Sequence, residues 1–152
     1  MTTYRGYINK AKPKRIFIPG LEKYTRSKRE ATMAKELLAM RDAGVFLSVE
    51  YEPLRFTFVK KNGQPMGGVN AHYVPDFRVR FAENLHGYDM AWIECKGYMD
   101  RNSMIRLKRF LLQEVHPSGA VLFINTAKNE YARLVQYLSK LPDEVRQCCR
   151  QW

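Results

Sequence analysis

Hydrophobic and polar positions change their spacing several times along the chain, and each change marks an element. Ala31, Ala34, Leu37, Leu38 and Ala39 are strong helix formers. Together they predict a long helix that starts at about Glu22 or Ser27 and ends at Asp42. Ser27 with Glu30 three residues on resembles a capping box, and Gly44 is placed to end the helix. Val45–Glu50 and Leu54–Lys60 then alternate as strands. Asn62-Gly63 carries a hairpin signal, Gly67-Gly68 extends the loop, and Tyr73–Phe81 reads as the return strand.

Asn84–Asp89 predicts a second turn, and Met90–Lys96 is a mostly apolar strand of the kind that lies centrally in a sheet. Arg101–Glu114 reads as a helix closed by His116-Pro117-Ser118-Gly119, and Ala120–Asn125 as another buried strand. The last helix is expected over Asn129–Ser139, with Tyr131, Leu134, Val135 and Leu138 on one face. Strand, helix and strand from Met90 to Asn125 form a βαβ unit, whose crossover should be right-handed. The expected fold class is therefore α/β with a mixed central sheet: antiparallel strands first, a parallel strand after the crossover. No internal repeat or low-complexity segment interrupts it.

Composition narrows the setting. A chain of 152 residues with 45% hydrophobic and 12% aromatic content can bury a core. No apolar run approaches the roughly 20 residues of a membrane span, so no membrane partner is expected. The polar, basic first residues lack the apolar core of a secretory signal. Three cysteines, two of them adjacent at Cys148-Cys149, make no disulfide framework and point to a reducing, cytoplasmic setting. His72, His86 and His116 are scattered and no Cys-x-x-Cys pair occurs, which argues against zinc.

Net charge bears most directly on partners. At +11 the chain suits a polyanionic partner, and nucleic acid fits best. Residues 1–20 read as a basic arm carrying Lys12, Lys14 and Arg15, either a solvated tail anchored by Ile16-Phe17-Ile18 or an arm along a DNA backbone. Arg101, Arg106, Lys108 and Arg109 surround the helix after the central strand. Arg106, Arg109 and Gln113 share one face, opposite Met104, Leu107 and Leu111; that face is either ordinary solvated surface or a phosphate contact. Lys60 and Lys61 sit at the hairpin tip, exposed or probing a groove.

Candidate chemistry is concentrated between Tyr73 and Lys96. Glu94 and Lys96 are two apart in a strand and share one side of the sheet, while Cys95 points the other way. If the strand carrying Pro75-Asp76 pairs with them, Asp76 reaches Glu94 across the ladder. Two carboxylates so close repel unless a cation lies between them, and Mg²⁺ suits such a site. Each fragment alone is common: Pro-Asp opens turns, and Glu-x-Lys is often a plain surface charge pair. The apolar run before Glu94, Gly97 after Lys96 and the basic helix beyond favour a phosphodiester site.

Asp76…Glu94-Cys95-Lys96-Gly97 resembles the signature of PD-(D/E)xK superfamily nucleases. Asn70-Ala71-His72-Tyr73-Val74-Pro75-Asp76-Phe77, Glu94–Tyr98 and Arg106–Pro117 resemble segments of phage endonuclease I type Holliday-junction resolvases. Ser27–Ala31 is similar to the first helix of related small phage nucleases. The likeness covers about residues 27–125. It implies a restriction-endonuclease-like core over residues 21–140, with 141–152 as a C-terminal tail. It further implies a Mg²⁺- or Mn²⁺-dependent DNA endonuclease working in a host-cell cytoplasm. Asp76 and Glu94 would bind metal, with the Cys95 carbonyl as a further oxygen, and Lys96 would assist the attacking water. A glutamate of the first helix would complete the site: Glu30, with Glu22 as rival and Glu50 and Glu52 as strand candidates. Branched DNA is the most specific substrate implied, and nicking or duplex cutting the next. Paired incision of a junction would require a homodimer. Outside the nucleases, a DNA-binding protein that does not cut is the competing reading. An RNA-binding module lacks its aromatic recognition strand.

Overall fold

The computed structural model describes residues 15–85 and 87–152. Lys12, Lys14 and His86 lie outside the described residues. A short hairpin opens the fold: β1 (Ile16–Ile18) and β2 (Lys23–Thr25) pair antiparallel around a single 3₁₀ turn, Pro19–Leu21. Helix α1 runs from Lys28 to Asp42. Ser27 caps it by accepting the Glu30 amide at 3.1 Å, so the later of the two expected starts is the real one. Gly44, at φ 85°, turns the chain out of the helix.

Five strands form the main sheet in the order β3 (Phe46–Tyr51), β6 (Phe77–Leu85), β7 (Tyr88–Cys95), β8 (Val121–Asn125) and β9 (Cys149–Gln151). The β3–β6 and β6–β7 pairs are antiparallel; β7–β8 and β8–β9 are parallel. The expected mixed sheet is present, with β7 at its centre. Alternation explains the two cores. Phe77, Val79, Ala91, Ile93 and Cys95 pack on the α1 side with Met33, Ala34 and Leu37. Trp92, Leu122 and Ile124 face the other side, under Met104, Leu107 and Phe110 of α2 (Arg101–Phe110) and Leu134 of α3 (Lys128–Tyr137). A wider π turn, Leu111–Val115, completes the helix expected to reach Glu114.

The structure departs from the sequence reading twice between β3 and β6 and once more at the C-terminal end. Leu54–Lys60 is not a strand of the main sheet. Only β4 (Phe56–Thr57) forms, and it pairs with β5 (His72–Tyr73) in a separate ribbon. The chain leaves the main sheet at Glu52, whose φ is 45°, followed by Pro53. The expected Tyr73–Phe81 strand is likewise split at Val74-Pro75-Asp76, because a proline has no N–H to give a ladder. The Asn62-Gly63 turn does form within this excursion: the Lys60 amide bonds the Gln64 carbonyl at 2.8 Å, and Gly63 has φ 82°.

Residues 141–152 are no tail. They carry α4 (Asp143–Arg146) and β9, the fifth strand of the sheet. Trp152 packs edge-on against Phe123 with ring centres 5.4 Å apart. A three-residue strand with Arg and Gln has too little apolar periodicity to announce itself. Among the described residues, no helix is long and apolar enough to cross a membrane.

Candidate active site

The break in the return strand creates the site. The ladder-free segment Val74-Pro75-Asp76 ends where β6 starts at Phe77, paired with Ile93. Continuing that antiparallel register by one residue sets Asp76 level with Glu94. Asp76 is held at both ends: its carbonyl accepts the Glu52 amide at 2.8 Å, and its Oδ2 accepts the Cys95 amide at 2.7 Å. Cys95 itself points to the α1 side and is buried there.

Glu94 is 2% exposed. The Tyr73 hydroxyl donates to its Oε2 at 2.5 Å, and the Lys96 ammonium lies 3.5 Å from its Oε1. Glu94 and Lys96 thus share one side, as the two-residue spacing predicts. Glu30 reaches the same cleft from the first turn of α1. Its Oε2 accepts the Tyr51 hydroxyl at 2.6 Å and the Arg26 amide at 2.9 Å. The capping box is therefore one-sided: Ser27 caps the Glu30 amide, but the Glu30 carboxylate turns toward the sheet.

Asp76, Glu94, Lys96 and Glu30 all line one cleft of about 410 Å³, with Glu52, Arg26 and Arg106 on its walls. The only buried side-chain polar atom without a partner among the described residues is Thr126 Oγ1. The oxygens of Asp76 and Glu30 that make no hydrogen bond among the described residues are therefore not sealed in the interior, and both side chains line the cleft.

Electrostatics reflect the crowding. Burial, then the charges of Glu94 and Glu30, hold the Asp76 carboxyl well above the usual carboxylate range. Burial also raises Glu94, opposed by Lys96 and the Tyr73 hydroxyl. Tyr73 is pushed up by burial and by the same glutamate. A set of carboxylates that disfavours its own ionisation is what a cation relieves. Among the described residues no three His, Cys, Asp or Glu side chains stand close enough to enclose an ion. The donor set fits Mg²⁺ bound through one or two carboxylates, its remaining positions filled by water and a phosphate. It does not fit an ion caged by protein alone.

The rival glutamates fall elsewhere. Glu22 is exposed at the end of the 3₁₀ turn, outside the cleft. Glu50 makes a two-pronged pair with Arg78 at 2.5 and 2.9 Å, and that hydrogen bond holds its carboxyl below the usual range. Glu52 lines the cleft but is paired with Arg26 at 3.0 Å.

The cationic candidates are dispersed. Arg15 is exposed ahead of β1, Lys60 and Lys61 at the hairpin tip, and Arg101 at the start of α2. Lys108 lies over the Tyr137 ring at 5.7 Å. The face carrying Arg106, Arg109 and Gln113 is bonded to the chain's own excursion. Arg109 donates to the Asn70 carbonyl at 2.6 Å and Arg106 to the Asn70 side chain at 3.3 Å. Gln113 bonds both the amide and the carbonyl of Val59, at 2.9 and 3.1 Å. Arg106 still reaches the cleft; Arg109 and Gln113 hold the β4–β5 ribbon down.

Sequence reasoning missed three residues. Tyr73, to which the sequence assigns no role, is the partner of Glu94. Tyr51 and Arg26 hold Glu30, and only the tertiary fold brings them there. His72 is an exposed neighbour at the cleft, its Nδ1 3.0 Å from the Thr57 hydroxyl. No protein-family model, no curated protein and no solved structure matches this chain, so the site rests on its own residues and geometry.

Proposed function

We propose that this protein is a Mg²⁺- or Mn²⁺-dependent DNA endonuclease, and that its sheet is a restriction-endonuclease-like core of the PD-(D/E)xK kind. One observation carries the reading: Asp76, Glu94 and Lys96, at the facing ends of the adjacent strands β6 and β7, share a cleft with Glu30 from the first helix. The chain gains nothing in stability from mutually repelling carboxylates collected in one largely buried space. It gains a place to hold a divalent ion against a phosphate.

When bound, the ion supplies Lewis-acid polarisation of the phosphate and a more acidic water. The residues do the rest. Asp76 offers its free oxygen to the ion, while the Cys95 amide fixes the other oxygen. Glu94 is oriented by the Tyr73 hydroxyl and Lys96. Lys96, half-buried beside Glu94, is placed to orient the attacking water and to offset charge gathering on the phosphate oxygens. Glu30 lines the same cleft, held from behind by Tyr51 and Arg26, where it would meet the ion through a water. Arg106 at the cleft wall and the exposed Lys60, Lys61 and Arg101 supply backbone contacts to DNA.

The test is a substrate panel. Four-way junction, nicked, linear duplex and single-stranded DNA are incubated with Mg²⁺ or Mn²⁺. Metal-dependent cutting is expected, with the junction cut best if the enzyme resolves branches. Binding without cleavage under either metal would refute an enzyme and leave a DNA-binding protein.

A further inference from the structure

Two residues beyond Lys96, Tyr98 sits in the turn between β7 and α2, 64% exposed. Exposed tyrosines are common, but this one is held in place. The Arg133 guanidinium lies 5.3 Å from its ring centre. Arg133 donates to Glu130 Oε2 at 3.1 Å, and the same oxygen accepts the Met99 amide at 2.7 Å. Glu130 is only 8% exposed. One buried carboxylate thus fixes both the backbone next to Tyr98 and the cation that backs its ring. A surface cation–π contact adds little to stability, so the fold itself gains little from seating Arg133 on this ring.

We propose that Tyr98, backed by Arg133, is a stacking platform for an unpaired nucleobase of the DNA strand cut in the cleft. The inference rests on the nuclease reading and names its substrate class. A flat ring with one side against a cation and most of its surface open matches the face of a base. Bases inside a duplex already have both faces covered by their neighbours. Only a base freed at a branch, flap or single strand can use the platform. Tyr98 is also near enough to matter: two residues span about 7 Å at most, the scale of one nucleotide from Lys96. The platform therefore favours branched or single-stranded DNA over intact duplex.

The experiment measures binding of the full chain in Ca²⁺. The probes are a single-stranded oligonucleotide and a four-way junction, each with 2-aminopurine at unpaired or junction positions, and a matched duplex. Tyr98→Ala should weaken binding to the first two about tenfold and abolish the 2-aminopurine signal change, with duplex affinity and melting temperature unchanged. Tyr98→Phe should behave as wild type. Equal losses on duplex, or no loss on single strands, would overturn the platform while leaving the nuclease reading intact. Failure of the wild type to bind any of the three would remove the nuclease reading and the platform with it.

Discussion

Tyr73 and Glu94 are joined by a 2.5 Å hydrogen bond that links two different sheets: Tyr73 belongs to the small β4–β5 ribbon, Glu94 to the central strand. The ribbon is therefore part of the site. It lines the cleft through His72 and Tyr73 and supplies the donor that orients the most buried carboxylate.

Tyr73→Phe removes that donor and leaves Glu94 with Lys96 as its remaining side-chain partner. A lost hydrogen bond to a buried charged group costs about 1.5–3 kcal/mol. Denaturant unfolding should show that loss at neutral pH. The Mg²⁺ concentration needed for half-maximal cleavage should shift as well. Unchanged stability and unchanged metal dependence would mean that Tyr73 only fills space.

Asp76→Asn should stabilise the protein while destroying activity. Asp76 has its pKa raised in the folded state, chiefly by burial. A raised carboxyl favours the fold fully below its unfolded value, about 3.9, and that contribution is lost as pH rises through the folded value. Near pH 8 the wild type therefore bears the cost of the buried charge, and asparagine removes it while still accepting the Cys95 amide. The gain should be about 1–3 kcal/mol at pH 8 and should vanish near pH 3. A variant less stable than wild type at pH 8 would contradict this electrostatic account.

Glu30 and Glu22 are separated by one comparison. Glu30→Gln keeps an acceptor for Tyr51 and Arg26 but removes the charge, and cleavage should fall about a hundredfold with little change in melting temperature. Glu22→Ala, on exposed surface outside the cleft, should cleave as wild type. Normal activity in Glu30→Gln would remove Glu30 from the site.

The ribbon itself is held by α2. Gln113→Ala breaks both bonds to Val59, and amide exchange over residues 56–73 should speed up about tenfold as local opening becomes easier. Exchange in β7 and β8 should not change. If residues 56–73 exchange at the wild-type rate, the ribbon is held by Phe56 and Tyr73 packing on Phe110 instead.

Periodicity made most of the framework legible. The capped helix α1, the apolar run of β7 and the βαβ order were all readable because each depends on local pattern and one dominant burial direction. Asp76, Glu94 and Lys96 were legible for the same reason: two-residue spacing puts Glu94 and Lys96 on one side, and pairing supplies Asp76. Three features were not. The strand break at Pro75 and the excursion over residues 53–73 depend on which strand pairs with which, a non-local choice. β9 is stabilised by Phe123–Trp152 packing across about thirty positions, and its own three residues carry no signal. The basic face of α2 looked available for phosphate, and its use on Asn70 and Val59 could be seen only once the ribbon was in place.

In the proposed nuclease, hydrolysis depends on an ion held by Asp76 and Glu94 beside Lys96. The most direct measurement is the single-turnover cleavage rate of a labelled four-way junction as a function of Mg²⁺ concentration, for wild type, Asp76→Asn and Lys96→Ala. The rate should saturate with Mg²⁺, be zero in EDTA, and fall about a hundredfold or more in both variants. Cleavage that persists in EDTA, or variants that cut as fast as wild type, would contradict this dependence.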